Sequence, residues 1–217
     1  GAAKKTTVLR NLIQQDDILV IPGCFNALSA RLIEQAGFPA AYISGAGVAS
    51  HFLGLPDIGL ASMEEVLQNA RNIANVTNIP VICDADTGYG NAVNVIRTVR
   101  EFENAGIAGI QLEDQVMPKK CGHTEGKLLI SKDEMVQKIK AAVDARRDPD
   151  FLFVIRTDAI AVNGFDDALD RSLAYDDAGA DIIFVEAMPD IAPMKRVAQT
   201  FKKPLLANMV EGGGKTP

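Results

Sequence analysis

Seven short, continuously apolar runs punctuate the chain, at residues 18–22, 40–44, 80–84, 109–113, 151–156, 181–186 and 204–208. None alternates polar with apolar. A strand that is apolar at successive positions is buried on both faces, as in a parallel sheet covered by helices. Amphipathic stretches with helix-start signals lie between the runs. Asn26 precedes residues 27–36, and Gly37 stops them. Ser62-Met63-Glu64-Glu65 and Ser131-Lys132-Asp133-Glu134 read as capping boxes. Residues 91–105 bury Val95, Val99 and Phe102 and end at Gly106. Residues 165–178 end at Gly179, and 193–201 form a shorter helix. Ala-Gly-Phe-Pro, Ala-Gly-Ile-Ala and Ala-Gly-Ala-Asp, starting at Ala36, Ala105 and Ala178, repeat one device: a helix-ending glycine, a turn, then a strand. The pattern is a succession of βα units.

Two architectures accept such a succession. An open doubly wound sheet favours a glycine-rich phosphate loop after its first strand, and Ile21-Pro22-Gly23-Cys24-Phe25-Asn26 is not one. A (β/α)8 barrel of the TIM type gathers polar residues at the carboxyl ends of its strands, and this chain places them there run after run. The expected fold is therefore an α/β barrel filling one domain, residues 1–217. Seven runs are one short of a closed barrel, so the expectation is of a chain that lacks its C-terminal part and stops at residues 211–217, in the loop after the seventh strand. The connections 45–61 and 114–130 are longer than ordinary barrel loops and are the expected carriers of function.

Composition narrows the function classes. Hydrophobic residues make up 47% of the chain and Trp is absent, so the core is built from Ala, Val, Ile and Leu. The net charge of −6, without a basic stripe, argues against a nucleic-acid partner. No apolar run reaches the length of a membrane span, and the N-terminal residues carry no apolar signal segment. Cys24, Cys83 and Cys121 are widely spaced and read as reduced thiols. A cytoplasmic location is expected.

The strongest chemical signal is Asp84-Ala85-Asp86-Thr87-Gly88-Tyr89-Gly90-Asn91. Two carboxylates alternate at a strand end and a glycine-rich turn follows. Mg²⁺ takes hard oxygen ligands and is held by one or two carboxylates together with waters and substrate oxygens. Glu113 and Asp114 end the next strand and can reach the same site. The competing reading is of helix caps and solvated strand ends. The second signal is Lys119-Lys120-Cys121-Gly122-His123 in a long loop. A thiol beside lysines and a histidine suits a proton donor. An inert cysteine, a zinc ligand and an acyl-transfer nucleophile are the alternatives, zinc being poorly served by two histidines, His51 and His123. Cys24 and Cys83 lie against apolar runs and read as packing residues. Third, Arg156, Glu186 and Asn208 end the fifth, sixth and seventh runs, and Tyr42, Ser44 and Gly45 end the second. Arg156 suits a carboxylate clamp; a structural ion pair with Asp158 or Glu186 is as good a reading of that residue alone.

Taken together, these residues resemble the isocitrate lyase/phosphoenolpyruvate mutase superfamily along nearly the whole chain. The matching segments are 22–30, 42–47, 54–57, 84–90, 112–115, 119–123, 156–158 and 186–187. The Lys-Lys-Cys-Gly-His loop is similar to that of the lyase branch that acts on 2-methylisocitrate and 2,3-dimethylmalate, and its cysteine counts against the phosphonomutases. The resemblance implies a barrel whose subunits exchange a C-terminal helix in a homotetramer. It implies Mg²⁺, with Mn²⁺ as a substitute, on Asp84 and Asp86, supported through water by Asp57 and Glu113. It implies that Ser44, Gly45, Ala46, Gly122, His123, Arg156, Glu186 and Asn208 bind a small carboxylate substrate, and that Cys121, Tyr42, Arg156 and Glu113 serve catalysis. Lys119–His123 would ride on a mobile lid.

The implied reaction is a retro-aldol cleavage of a 2-hydroxy di- or tricarboxylate to an oxo acid and a second carboxylic acid. Cys121 would protonate the departing carbanion, and Tyr42 is the first candidate for the base. Thr124, Ala46 and Met209-Val210 depart from the methylisocitrate pattern, which favours a smaller, more alkylated substrate. Oxaloacetate hydrolase or decarboxylase chemistry, a phosphonomutase and a non-catalytic barrel are the alternatives.

Overall fold

The computed structural model describes residues 3–210 and 216–217. Seven parallel strands pair strictly in chain order: β1 (Gly23–Cys24), β2 (Ala41–Ile43), β3 (Val81–Asp84), β4 (Gly109–Glu113), β5 (Leu152–Thr157), β6 (Ile182–Val185) and β7 (Leu205–Leu206). Helices separate them: α1 (Lys5–Leu12) before the sheet, then α2 (Ala27–Gln35), α3 (Gly45–Gly47) running into a π-turn at Val48–Phe52, α4 (Met63–Val76), α5 (Ala92–Asn104), α6 (Lys132–Ala145), α7 (Ile160–Asn163), α8 (Phe165–Ala178) and α9 (Ile191–Thr200). This is the wall of a TIM-type barrel over seven βα units. Among the described residues β1 and β7 each pair on one side only. The C-terminal stop at 211–217 falls largely outside the described residues.

Side-chain parity along the strands builds two cores. One face packs on the helices: Cys83, Ile110, Leu112, Phe153, Ile155, Ile183 and Val185 meet Leu67 and Ile73 of α4, Phe102 of α5, Ile139 of α6 and Tyr175 of α8. Each such fully buried large side chain contributes about 1.5–3 kcal/mol. The other face turns inward, where Ile82, Ala108, Leu152, Val154, Ile182 and Phe184 fill the barrel. Further along the same inward rows the residues become polar: Asp84 after Ile82, Glu113 after Gln111, Arg156 after Val154, Glu186 after Phe184. A period of two places all of them at one mouth.

Local signals and structure agree at most helix ends. Asn26 and Ser62 form reciprocal capping boxes with Ser29 and Glu65. Gly179 takes the left-handed conformation that ends α8. Ser131 accepts from the Glu134 amide, but the Glu134 side chain does not return the bond, so this start is a simple cap. Asn91 and Asn94 form a box that the sequence reading passed over. Two expectations shift. The first apolar run does not form a strand: β1 begins at Gly23, and Ile18 is 92% exposed. The last helix starts at Ile191 rather than at 193. α1 was not anticipated. Its Leu9 is fully buried in the inner core with Ala40 and Ala108, and its Lys5 ammonium donates to the Ala74 and Thr77 carbonyls at the end of α4. It plugs the mouth opposite the polar one. No helix of the described residues is long and apolar enough to cross a membrane.

Candidate active site

β3 supplies the two aspartates. Asp84 accepts from the Asp86 amide at 2.9 Å and from Gln111 Nε2 at 3.1 Å. That first bond folds the chain back on itself, and Asp86 takes φ 49°, a left-handed conformation that aspartate tolerates better than most residues. Gly45 abuts this turn so closely that a Cβ there would lie 2.6 Å from Asp84 Oδ2. Ser44 caps the short α3, its hydroxyl accepting from the Gly47 amide at 3.0 Å, and Ala46 lies in the same turn.

β4 contributes two inward side chains, Gln111 and Glu113, and Gln115 follows just beyond its end. Gln111 accepts the Tyr42 hydroxyl proton at 2.5 Å and donates to Asp84. Glu113 is fully buried and accepts from Gln115 Nε2 at 2.9 Å. Gln115 also accepts the Lys120 amide at 2.9 Å and donates to the Lys120 carbonyl at 2.8 Å. Gln111 and Gln115 were missed in the sequence reading. The period of two through Glu113 was the available signal.

β5 contributes Arg156 and Asp158. The guanidinium forks onto Asp158 through Nε and Nη2, both at 3.0 Å. Its Nη1 lies 3.3 Å from Glu113 and 3.6 Å from Glu186. The structural ion pair expected of Arg156 with Asp158 is therefore present, and Nη1 has only the longer contacts. Asn208 donates to Glu186 at 3.3 Å. Behind this layer, Asp114 accepts from the Thr157 and Tyr175 hydroxyls, at 2.7 and 2.8 Å, and from the Asp158 amide at 3.0 Å.

The 114–130 loop is an ordered flap. Its stem pairs Val116 N with the Leu128 carbonyl at 2.8 Å and Ile130 N with the Asp114 carbonyl at 3.0 Å, around an antiparallel bridge of Gln115 with Leu129. Its tip reaches the site at two places. The Lys119 ammonium sits 2.5 Å from Asp57 and 3.0 Å from Asp86. Gly122 lies on Arg156 and Glu186. Half-buried Cys121 is next to it. His123 Nε2 is 3.8 Å from Glu186, and both ring nitrogens are buried without a hydrogen-bond partner among the described residues.

Negative charge is in excess. Asp57, Asp84, Asp86, Glu113, Asp114, Asp158 and Glu186 face Lys119, Lys127, Arg156 and Arg171. Burial first, and Asp84 second, push the Asp86 carboxyl up to about 6, against the pull of Lys119. Burial likewise raises Glu113 well above the usual carboxylate range, against the pull of Arg156. Burial and then Asp84 raise the Tyr42 phenol, which keeps its proton and donates it to Gln111. Asp158 moves the other way, because the attraction of Arg156 and Lys127 outweighs its burial. Such crowding of anions favours a bound cation or protons. Among the described residues no group of three His, Cys, Asp or Glu side chains converges as a metal-ligand cluster. The hard-oxygen pair Asp84–Asp86, approached closely by the backbone at Gly45 where a Cβ would intrude on both carboxylates, suits a cation that keeps several waters.

A parallel βα barrel with carboxylates, an arginine and a thiol-bearing flap at the carboxyl ends of its strands defines an enzyme of the barrel class. The phosphoenolpyruvate phosphomutase family model matches residues 9–216, and the chain belongs to that family. It is 54% identical to 2,3-dimethylmalate lyase of Eubacterium barkeri over 96% of this chain and 72% of the relative. It is also 54% identical to 2-methylisocitrate lyase of Aeropyrum pernix over 97% of this chain and 67% of the relative. These relatives make it a carbon–carbon lyase. Among solved structures, 2,3-dimethylmalate lyase superposes with TM-score 0.94 at 39% identity, covering 100% of this chain and 73% of that one. Oxaloacetate acetylhydrolase with 3,3-difluorooxalacetate gives 0.94 at 37%, covering 99% and 74%. Phosphonopyruvate hydrolase, in complex with oxalate and Mg²⁺, gives 0.83 at 35%, covering 94% and 71%.

Proposed function

We propose that this lyase cleaves a small 2-hydroxy di- or tricarboxylate of the dimethylmalate or methylisocitrate type, with Mg²⁺ (or Mn²⁺) as cofactor. The observation that carries the reading is the carboxylate excess centred on Asp84 and Asp86, set beside Arg156 and under a flap bearing Cys121. Asp84 and Asp86 would hold the metal, with Asp57 and Glu113 supporting it through water. When bound, Mg²⁺ would supply a Lewis acid that stabilises negative charge developing on substrate oxygens.

The residues of the chain divide the remaining work. The Ser44–Ala46 turn receives the oxo-acid end. The Nη1 of Arg156 is the nitrogen free to turn from its long contacts to a substrate carboxylate, while the fork on Asp158 holds the plane of the guanidinium. Glu186, Asn208, Gly122 and His123 complete the pocket. The substrate hydroxyl gives up its proton, the adjacent C–C bond breaks, and its electron pair passes to the carbon next to the second carboxylate. Cys121 delivers a proton to that carbon. Tyr42 is the candidate for taking the hydroxyl proton, a role that requires added positive charge at Asp84–Asp86 to offset the rise in its pKa. The flap excludes water from the carbanion.

Thr124, Ala46 and Met209-Val210, which depart from the methylisocitrate pattern, favour an alkylated dicarboxylate. Thr124, Glu125, Gly126 and Lys127 of the flap, with Ile160, Ala161, Ala187 and Pro189, line a crevice of about 480 Å³, and Lys127 is already committed to Asp158. The test is release of the oxo acid, pyruvate from dimethylmalate and methylisocitrate, glyoxylate from isocitrate and pyruvate from decarboxylated oxaloacetate, with Mg²⁺ and with chelator. Mg²⁺-dependent release from dimethylmalate is expected. Acetate and oxalate formed from oxaloacetate would replace this reading with a hydrolase, and turnover unaffected by chelation would remove the metal.

A further inference from the structure

Lys127 is buried, its side chain only 1% exposed. A lysine ammonium is removed from water at a cost of several kcal/mol unless its donors are used. Two are. One goes to Asp158 Oδ1 at 3.0 Å, the other to the carbonyl of Gly122. The first bond is not needed to neutralise Asp158, which already accepts both arms of the Arg156 fork. The second is the informative one. It joins the returning strand of the flap to its tip, at the residue between Cys121 and His123. Gly122 in turn lies against Arg156 and Glu186, where a Cβ would be 2.5 Å from Arg156 Nη2 and 2.8 Å from Glu186 Oε2. The tip closes on itself as well, since the Thr124 amide and hydroxyl both donate to the Cys121 carbonyl, at 2.9 and 2.8 Å.

We propose that Lys127 is a positioning residue that pins the flap: its ammonium bridges the Gly122 carbonyl to Asp158 and so seats Cys121 and His123 over Arg156. This rests on the lyase reading only in assigning chemistry to Cys121; the pin itself is a matter of geometry. Lys127 touches no reacting atom. It converts the anchored Arg156–Asp158 pair, fixed to the barrel wall through the bond from the Asp158 amide to Asp114 at 3.0 Å, into a second seat for a flap whose tip is also held by Lys119 between Asp57 and Asp86. This seat can be vacated by breaking two polar contacts, and full opening also parts Lys119 from Asp57 and Asp86. The flap can then open for exchange of substrate and product and close on the same register each turnover.

Lys127→Met keeps the length and apolar volume of the side chain and deletes the charge. Its first readout is alkylation of Cys121 by iodoacetamide in the full chain. Cys24 and Cys83 are fully buried and do not compete. Freed of its pin, the tip is expected to open more often, raising the alkylation rate roughly tenfold or more. The second readout is the split between kcat and KM on the pyruvate-releasing substrate. A displaced proton donor is expected to lower kcat by about 10²-fold, with KM changed far less. The third is thermal melting, expected to stay cooperative. Should K127M fail to melt cooperatively, K127Q, which retains a donor for the Gly122 carbonyl, takes its place and is expected to fall between wild type and K127M. Faster alkylation with a kcat-dominated loss supports the pin. An alkylation rate equal to wild type, whatever the activity, overturns it. A wild-type chain without turnover on any substrate would reject the lyase reading and leave the alkylation experiment to decide the pin alone.

Discussion

Gly122 is packed directly on Arg156: a methyl group at position 122 would stand 2.5 Å from Nη2. The guanidinium cannot retreat cheaply, because both arms of its fork are held by Asp158 at 3.0 Å. Gly122→Ala should therefore push the flap tip outward. A displacement of about 1 Å is enough to lower kcat by about 10²-fold. Steady-state kinetics check this, with Arg156 and Asp158 left intact. Wild-type kcat in G122A would mean that the closed flap is not the reacting state.

Cys121→Ser replaces the thiol with a poorer proton donor of similar size. Loss of a positioned general acid lowers turnover by about 10²–10⁴-fold. Mg²⁺ affinity, measured by calorimetry on the same variant, should be unchanged, because the proposed direct ligands, Asp84 and Asp86, lie at the end of β3 and not on the flap. Undiminished turnover would take Cys121 out of the mechanism.

Asp86 gives a pH dependence with a definite sign. Its carboxyl is pushed up to about 6 in the folded chain, by burial first and Asp84 second, from an unfolded value of about 3.9. Between these values the folded state holds a proton that the unfolded state has lost. Stability contributed by this group therefore falls as pH rises from about 4 to about 6. Asp86→Asn removes the titration. In chelator, the melting temperature of D86N relative to wild type should rise across that window and level off above it. Saturating Mg²⁺ should reverse the advantage at neutral pH. A difference that does not vary with pH would mean that Asp86 is not perturbed.

Tyr175→Phe tests the layer behind the site. The Tyr175 hydroxyl donates to buried Asp114 at 2.8 Å. Removing it leaves a buried acceptor less satisfied, at a cost of about 1–3 kcal/mol. Urea unfolding measures the loss. Mg²⁺ binding should be unaffected, since Asp114 keeps its bonds from Thr157 and from the Asp158 amide. A variant as stable as wild type would show that the hydroxyl adds nothing to the network.

Much of this molecule was written locally. Continuous apolar runs, glycine-terminated helices and Asn or Ser caps act over a few residues, and they specified the parallel βα repeat and six of the strands closely enough to place Tyr42, Asp84, Glu113, Arg156 and Glu186 at one mouth. The first run misled, because apolarity without a neighbour to pair with does not make a strand, and Ile18 stayed in solvent. What the chain could not disclose by itself are contacts between residues far apart in sequence. The seating of Leu9 in the barrel floor depends on Ala40 and Ala108, which immediately precede β2 and β4. The Lys119 ammonium between Asp57 and Asp86, and the Lys127 bridge from Gly122 to Asp158, depend on how a flap folds back over strands β3 and β5. A lysine in a loop reads as a solvated charge until the fold removes the solvent. Only tertiary structure decides which charges are buried, and burial is what turns them into pins and partners.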